Sequence, residues 1–181
     1  MTLEYSLTED DYLQHQLFLA SKSEKIKKKR INNWILTTLA FLSLGFILYS
    51  NKPKFLSYYF LAAGVLSAFL YPLYLRYYYK NHYKKFIADR YKNCFGVIAT
   101  VKFNQDDIET FDITGKSKIN LSQLEQINEI PNYIYLRLKS GGSLIIPKLQ
   151  ISNIDIVRTE LQTISTGLNV PYTRELNWKW K

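Results

Sequence analysis

Two uncharged apolar runs, Trp34 to Ser50 and Phe55 to Leu75, are joined by only four residues, Asn51-Lys52-Pro53-Lys54. As helices the runs would reach about 25 Å and about 32 Å, against a hydrocarbon core about 30 Å thick. A helix in the core of a soluble protein usually keeps a polar stripe, and these runs hold nothing more polar than Ser, Thr and Tyr. A loop dipping into one leaflet would strand Lys52 and Lys54 in hydrocarbon, at roughly 2.5–3.5 kcal/mol each. The pattern therefore predicts a spanning helical hairpin. Trp34 and Tyr49 at the ends of the first run, and Tyr58, Tyr59, Tyr71 and Tyr74 near the ends of the second, suit the headgroup level.

Charge gives the hairpin an orientation. The formal net charge is +9, and most of it flanks the apolar runs. Residues 22–30 carry six bases and one acid, residues 76–93 the same, and residues 94–181 carry ten bases and nine acids. Charge so placed argues against nucleic-acid binding, which needs a basic face on a folded domain. The positive-inside rule puts both termini in the cytoplasm and the short loop outside. Lys27, Lys28, Lys29 and Arg30 before the first run, and Arg76, Lys80, Lys84 and Lys85 after the second, are the lipid-facing candidates, with Trp34 at the interface. Trp178 and Trp180, alternating with Lys179 and Lys181, are a second interface candidate or a frayed tail.

Within the second run, Gly64 and Ala68 form a small-xxx-small pair. They predict close packing against the first helix near Ser43 and Gly45, or a homo-oligomer through the same face. Pro72 predicts a kink. No ionisable residue lies inside either run, which argues against a transporter or proton relay.

The flanks read as follows. Thr8 with Asp11 marks a helix start, and Tyr5 and Leu7 before it suit a short strand. His15 reads as an ordinary amphipathic-helix residue. No leader of the cleaved type is expected. Cys94 is the single cysteine, which excludes an internal disulfide and a cysteine-based zinc site.

Beyond Cys94 the apolar period becomes two. Strands are expected at 97–103, 108–113, 118–121, 124–130, 133–138 and 143–146, separated by turns such as Asn104-Gln105-Asp106-Asp107 and Lys139-Ser140-Gly141-Gly142. A helix follows, with Ile154, Val157, Leu161, Ile164 and Leu168 on one face. Ser152 and Asp155 suggest a capping box, Ile151 and Ile156 a hydrophobic staple, and Gly167 and Pro171 the helix end. The fold class is thus an α+β membrane protein: a two-helix transmembrane hairpin plus a pleckstrin-homology-like antiparallel meander or barrel with a C-terminal helix. The divisions are a cytoplasmic strand, helix and basic flank over 1–33, the hairpin over 34–75, a basic-aromatic juxtamembrane helix over 76–93, the small domain over 94–170 and a tail over 171–181.

Several local features carry a family resemblance. They are Phe103 with Asp106-Asp107-Ile108, the stretch Leu121-Ser122-Gln123-Leu124 leading to Ile127 and Glu129, Tyr133-Ile134-Tyr135-Leu136, Ile145-Ile146-Pro147-Lys148, and Tyr5-Ser6-Leu7-Thr8 with Asp11-Tyr12. Together they resemble the YcxB-like family, whose pattern often has Trp where this chain has Leu121. The resemblance implies a protein of the bacterial cytoplasmic membrane with two spans and a small cytoplasmic domain. It transfers no catalytic residue.

The sequence holds no phosphate-binding glycine loop, zinc pattern or nucleophile elbow. Asp106-Asp107 is explained by turn chemistry before an acid pair or metal site. The expected function is a non-enzymatic, membrane-anchored binding module, with no cofactor and no metal. Its expected partners are the lipid bilayer and a membrane or cytoplasmic protein, with self-association as a further option. The alternatives are recognition of anionic lipid and, behind it, an accessory role in a membrane enzyme or transporter.

Overall fold

The computed structural model describes residues 1–49, 54–113 and 115–180. The expected loop at Asn51-Lys52-Pro53 lies outside the described residues. In chain order the elements are β1 (Thr2–Ser6), α1 (Glu9–Lys22), α2 (Glu24–Tyr49), α3 (Lys54–Tyr91), β2 (Ile98–Phe103), β3 (Asp107–Asp112), β4 (Gly115–Asn120), β5 (Leu124–Glu129), β6 (Tyr133–Leu138), β7 (Ser143–Pro147), α4 (Ile154–Leu168) and β8 (Tyr172–Arg174). They form two compact units: Met1–His15 with Phe86–Lys179, and Gln16–Lys85 with Trp180.

The first unit is α+β, with two four-stranded sheets. One has the order β1-β2-β3-β4 and is antiparallel throughout; the other has the order β7-β6-β5-β8. The six strands expected after Cys94 all form. Val101 and Phe103 point into the core while Lys102 faces out, the alternation the sequence carries. The central strand β6 departs from alternation because both its faces are covered. Ile134 and Leu136 enter the core, and Tyr133 and Tyr135 meet Asp11 and His15 of α1. Val157 and Leu161 of α4 close the same core against Ile127 and Ile146. Each such side chain contributes roughly 1.5–3 kcal/mol by leaving water.

Several local expectations are refined or corrected. The N-terminal stretch is an integral edge of the first sheet: β1 pairs with β2 in the register Leu3↔Val101 and Tyr5↔Ala99, and buries Leu3 and Tyr5. The tail is likewise not all tail, since Tyr172–Arg174 runs parallel to β5 with Ile127 opposite Tyr172. The α4 N-cap is Asn153, one residue later than Ser152, and it makes no side-chain cap bond. Asp155 is paired with Arg158 one turn on instead of closing a capping box, and Ile156 is exposed, so no staple forms. Finally, Gly167 stays within α4; Asn169 takes the left-handed turn at φ 53°, and the Val170 N–H closes it on the Ser165 carbonyl at 2.9 Å.

The second unit is helical. The helices are longer than the apolar runs: α2 starts ten residues before Trp34, and α3 continues without a break from Lys54 to Tyr91. Both are long and apolar enough to cross a membrane. They interlock through small residues. Leu42 sits over Gly64 and Leu61 over Gly45, so close that a Cβ at either glycine would lie 2.6–2.7 Å from the facing leucine. Polar groups are turned inward across the same seam. The Ser57 hydroxyl donates to the Gly45 carbonyl at 2.7 Å, and Ser67 reaches Thr38 at 3.2 Å. Outward, Phe55 is 79% exposed and Phe69 74%.

Candidate functional site

In the first unit, a cleft of about 210 Å³ opens between the two sheets, below the roughly 300–1,000 Å³ usual for a drug-sized ligand. Its walls are apolar, including Val101, Ile119, Leu144 and Ile145, and Tyr12, Cys94, Asp112 and Ser143 supply polarity. Tyr12 stacks on Tyr91 at 4.6 Å between ring centroids and tilts against Phe95 at 5.9 Å. Burial first, then the neighbouring Cys94, Tyr91 and Asp112, push its phenol up to about 12, so it stays a neutral donor. The Ser143 hydroxyl oxygen is buried with no hydrogen-bond partner. Neither histidine lines this cleft.

His15 is buried, with its ring edge on Tyr135 at 4.9 Å and its Nε2 without a hydrogen-bond partner. Burial pushes it down to about 4, so it is neutral at physiological pH. Its helix neighbour Asp11 is used twice. One carboxylate oxygen takes the Thr8 N–H at 2.6 Å and the Thr8 hydroxyl at 2.7 Å, and the other takes the Tyr133 hydroxyl at 2.7 Å. The helix start read at Thr8 is therefore also a tie to β6.

The most concentrated charge in the first unit surrounds Glu129, whose side chain is fully buried at the end of β5. It receives Lys148 at 3.1 Å, Arg158 at 2.9 Å, Arg174 at 3.1 Å and the Tyr172 hydroxyl at 3.0 Å. Burial alone would raise the carboxyl, but hydrogen bonds from Arg158, Lys148 and Tyr172 outweigh it and bring it down to about 2. Glu129 is in this respect a structural carboxylate, ionised and saturated with donors. The sequence shows Glu129 and Lys148 only as separate motif residues, because it takes the fold to bring the end of β7, α4 and β8 to the end of β5. Asp107 is also held below its ordinary range, first by the Asn104 side chain and then by Lys118, which keeps it within turn chemistry. Among the described residues, no group of three or more His, Cys, Asp or Glu could hold a metal ion.

In the second unit, several of the expected interface residues come together. Lys27, Arg30 and Trp34 of α2 line a groove of about 230 Å³ with Ile31, Pro72 and Leu75. The Arg30 guanidinium lies over the ring of Tyr79 at 5.7 Å and that of Trp180 at 5.0 Å. Trp180 is 7% exposed, and its Nε1 donates to the Arg76 carbonyl at 3.2 Å. Trp34 has a specific task besides lying at the end of an apolar run. Pro72 has no N–H, so the Ala68 carbonyl loses its helical donor; the Trp34 Nε1 donates to that carbonyl at 3.1 Å. Lys28, Lys29, Arg76, Lys80, Lys84 and Lys85 are exposed and outside the groove. Trp178 is half-buried and belongs to the first unit, Trp180 to the second.

Fold and site together define a class: a chain that combines an α+β unit of two four-stranded sheets with a helical pair long and apolar enough to span a bilayer. The family model for YcxB-like protein matches residues 103–159, from the end of β2 into α4, which holds the resembling motifs from Phe103 to Lys148 but not Tyr5-Ser6-Leu7-Thr8 or Asp11-Tyr12. No curated protein and no solved structure matches the chain.

Proposed function

We propose that this chain is a membrane-anchored, non-enzymatic binding module. In this reading α2 and α3 form a two-span hairpin in the bacterial cytoplasmic membrane, with both termini inside. The first unit is then a pleckstrin-homology-like domain presented to a protein partner at the inner leaflet. The observation that carries the reading is the outer surface of the helical pair. Leu36, Phe46, Phe55 and Phe69 are exposed while the polar groups point into the seam. Each such side chain left in water costs roughly 1.5–3 kcal/mol, and lipid removes that cost. The cleft between the sheets supplies a recess for a partner's apolar side chain. Tethering would confine the module to two dimensions and let modest affinity suffice.

The test has two arms. With Cys94→Ser as background, a cysteine at Lys54 should react with an impermeant maleimide added outside intact cells, and one at Lys179 only after permeabilisation. The reverse pattern, or release of the protein by alkaline carbonate, refutes the anchor. Photocrosslinking from Ile113 at the cleft should capture a discrete protein in intact membranes. Capture no different from that by a probe at exposed Leu149 refutes the binding module. Anionic-lipid recognition is the second reading, favoured by the groove at Lys27 and Arg30.

A further inference from the structure

We infer that the groove between α2 and α3 is a binding site for one anionic phospholipid, with its phosphate against Lys27 and Arg30 and its upper acyl chains along Ile31, Trp34, Pro72 and Leu75. The inference rests on the membrane placement proposed above and goes beyond it, because a spanning hairpin needs no lipid site.

Three observations point to this occupant. First, the groove is divided by chemistry: two cations come from one turn of α2, and the remaining lining is apolar or aromatic. An anion with a hydrocarbon tail matches both halves; an inorganic anion or a neutral lipid matches one. Second, the division falls at the right level. Trp34 opens the first apolar run and Pro72 lies near the end of the second, so the bases stand where the hydrocarbon ends. Third, the cationic end is ordered in advance. Arg30 is held over the faces of Tyr79 and Trp180, and Trp180 is itself fixed by its bond to the Arg76 carbonyl. A guanidinium already held in place loses less freedom when it meets a phosphate. The apolar wall is fixed too, since the Trp34 indole is tied to the Ala68 carbonyl below Pro72. Juxtamembrane bases in general attract anionic leaflets through unspecific charge. This groove differs in that its shape takes in two of the many lysines and arginines, one of them held over two aromatic rings.

Native mass spectrometry of the delipidated full chain in neutral detergent tests the site, with dioctanoyl phosphatidylglycerol and dioctanoyl phosphatidylcholine as probes. The wild type should prefer the anionic lipid by roughly 25-fold, the product of about fivefold per base at an anionic surface. The pair Lys27→Gln/Arg30→Gln should abolish that preference. Lys27→Gln alone, at an exposed position that leaves Arg30 on its two rings, should lower it about fivefold. Lys28→Gln/Lys29→Gln removes the same charge outside the groove and should stay within about twofold of wild type. An equal loss in the two double variants would make the effect generic electrostatics and overturn the site, as would no preference in the wild type. Binding of inorganic phosphate with the same Lys27 and Arg30 dependence, and no gain from acyl chains, would overturn lipid as the occupant. Carbonate extraction of membranes tests the anchor separately, so a lost lipid preference with the hairpin still inserted refutes this inference alone.

Discussion

Glu129→Gln is the sharpest single perturbation of the first unit. The substitution keeps the shape and removes the charge, leaving Lys148, Arg158 and Arg174 around a neutral amide. The carboxyl falls from an ordinary 4.5 to about 2 in the folded chain. At about 1.4 kcal/mol per pH unit, that difference is worth roughly 3 kcal/mol. Because the folded value is the depressed one, the contribution is complete above about pH 4.5 and disappears as pH falls through about 2. Losing one partner of a buried ionic group costs about 3–5 kcal/mol, so Glu129→Gln should destabilise the unit by about that much at pH 7. Hydrogen exchange at Ile127 and Ile134, on the full chain in micelles, reads the opening free energy of these strands. The difference between wild type and variant should be largest at neutral pH and shrink from about pH 4.5 downward. A variant within about 0.5 kcal/mol of wild type at pH 7 would refute the reasoning, as would a gap that persists unchanged to pH 2.

Three further outcomes follow from the geometry. His15, folded near 4 against an ordinary 6.5, takes up its proton more readily when unfolded. Stability should therefore fall by roughly 3 kcal/mol as pH drops from about 6.5 to about 4. His15→Phe should flatten that window in a pH series of melts without touching the more acidic Glu129 window. Trp34→Phe should cost about 1 kcal/mol in micelle unfolding by leaving the Ala68 carbonyl without its donor. Pro72→Ala, which restores the helical donor, should erase most of that cost, and a double variant as unstable as the sum of the singles would refute the coupling. At Gly45, a Cβ would lie 3.0 Å from the Leu61 backbone nitrogen, so Gly45→Ile should splay the helices at a cost of about 1–3 kcal/mol. A disulfide between cysteines replacing Thr38 and Ser67 should then form more slowly than with Gly45 intact.

Legibility in the sequence followed the range of the interactions. The apolar runs, the Thr8 helix start and the six strands after Cys94 were readable because each depends on residues a few positions apart. The pairing of β1 with β2 was not, since Leu3 and Val101 are separated by both long helices. A three-residue strand such as β8 has too few positions to show a period, and Ser152 and Asn153 are equally good N-cap types, so the sequence alone does not choose between them. The Glu129 cluster was hidden for a similar reason. Lys148, Arg158 and Arg174 each look like an ordinary surface base until the end of β7, α4 and β8 bring them to one carboxylate. In the second unit, the basic and aromatic flanks were visible as a class. Which of them share a groove was set by the facing of α2 and α3.

The same facing bears on self-association. Gly64 and Ala68 were a natural route to a helix dimer, because small residues allow close backbone approach in lipid. Here that face is occupied from within the chain: Leu42 fills the space over Gly64, and Trp34 takes the Ala68 carbonyl. Ser57 and Ser67 are likewise spent on Gly45 and Thr38 across the seam. A homo-oligomer through Gly64 would have to part the two helices, break the indole bond and leave the Ala68 carbonyl below Pro72 without its donor. If the helices span the membrane as proposed, the pair would be a closed anchor, and association of two chains would be sought on the outward aromatic side chains or in the first unit. A Gly64→Leu chain whose oligomeric state follows that of the wild type, although its hairpin is loosened, is the result this argument expects from sedimentation in micelles. Selective loss of a dimer with the hairpin intact would overturn it.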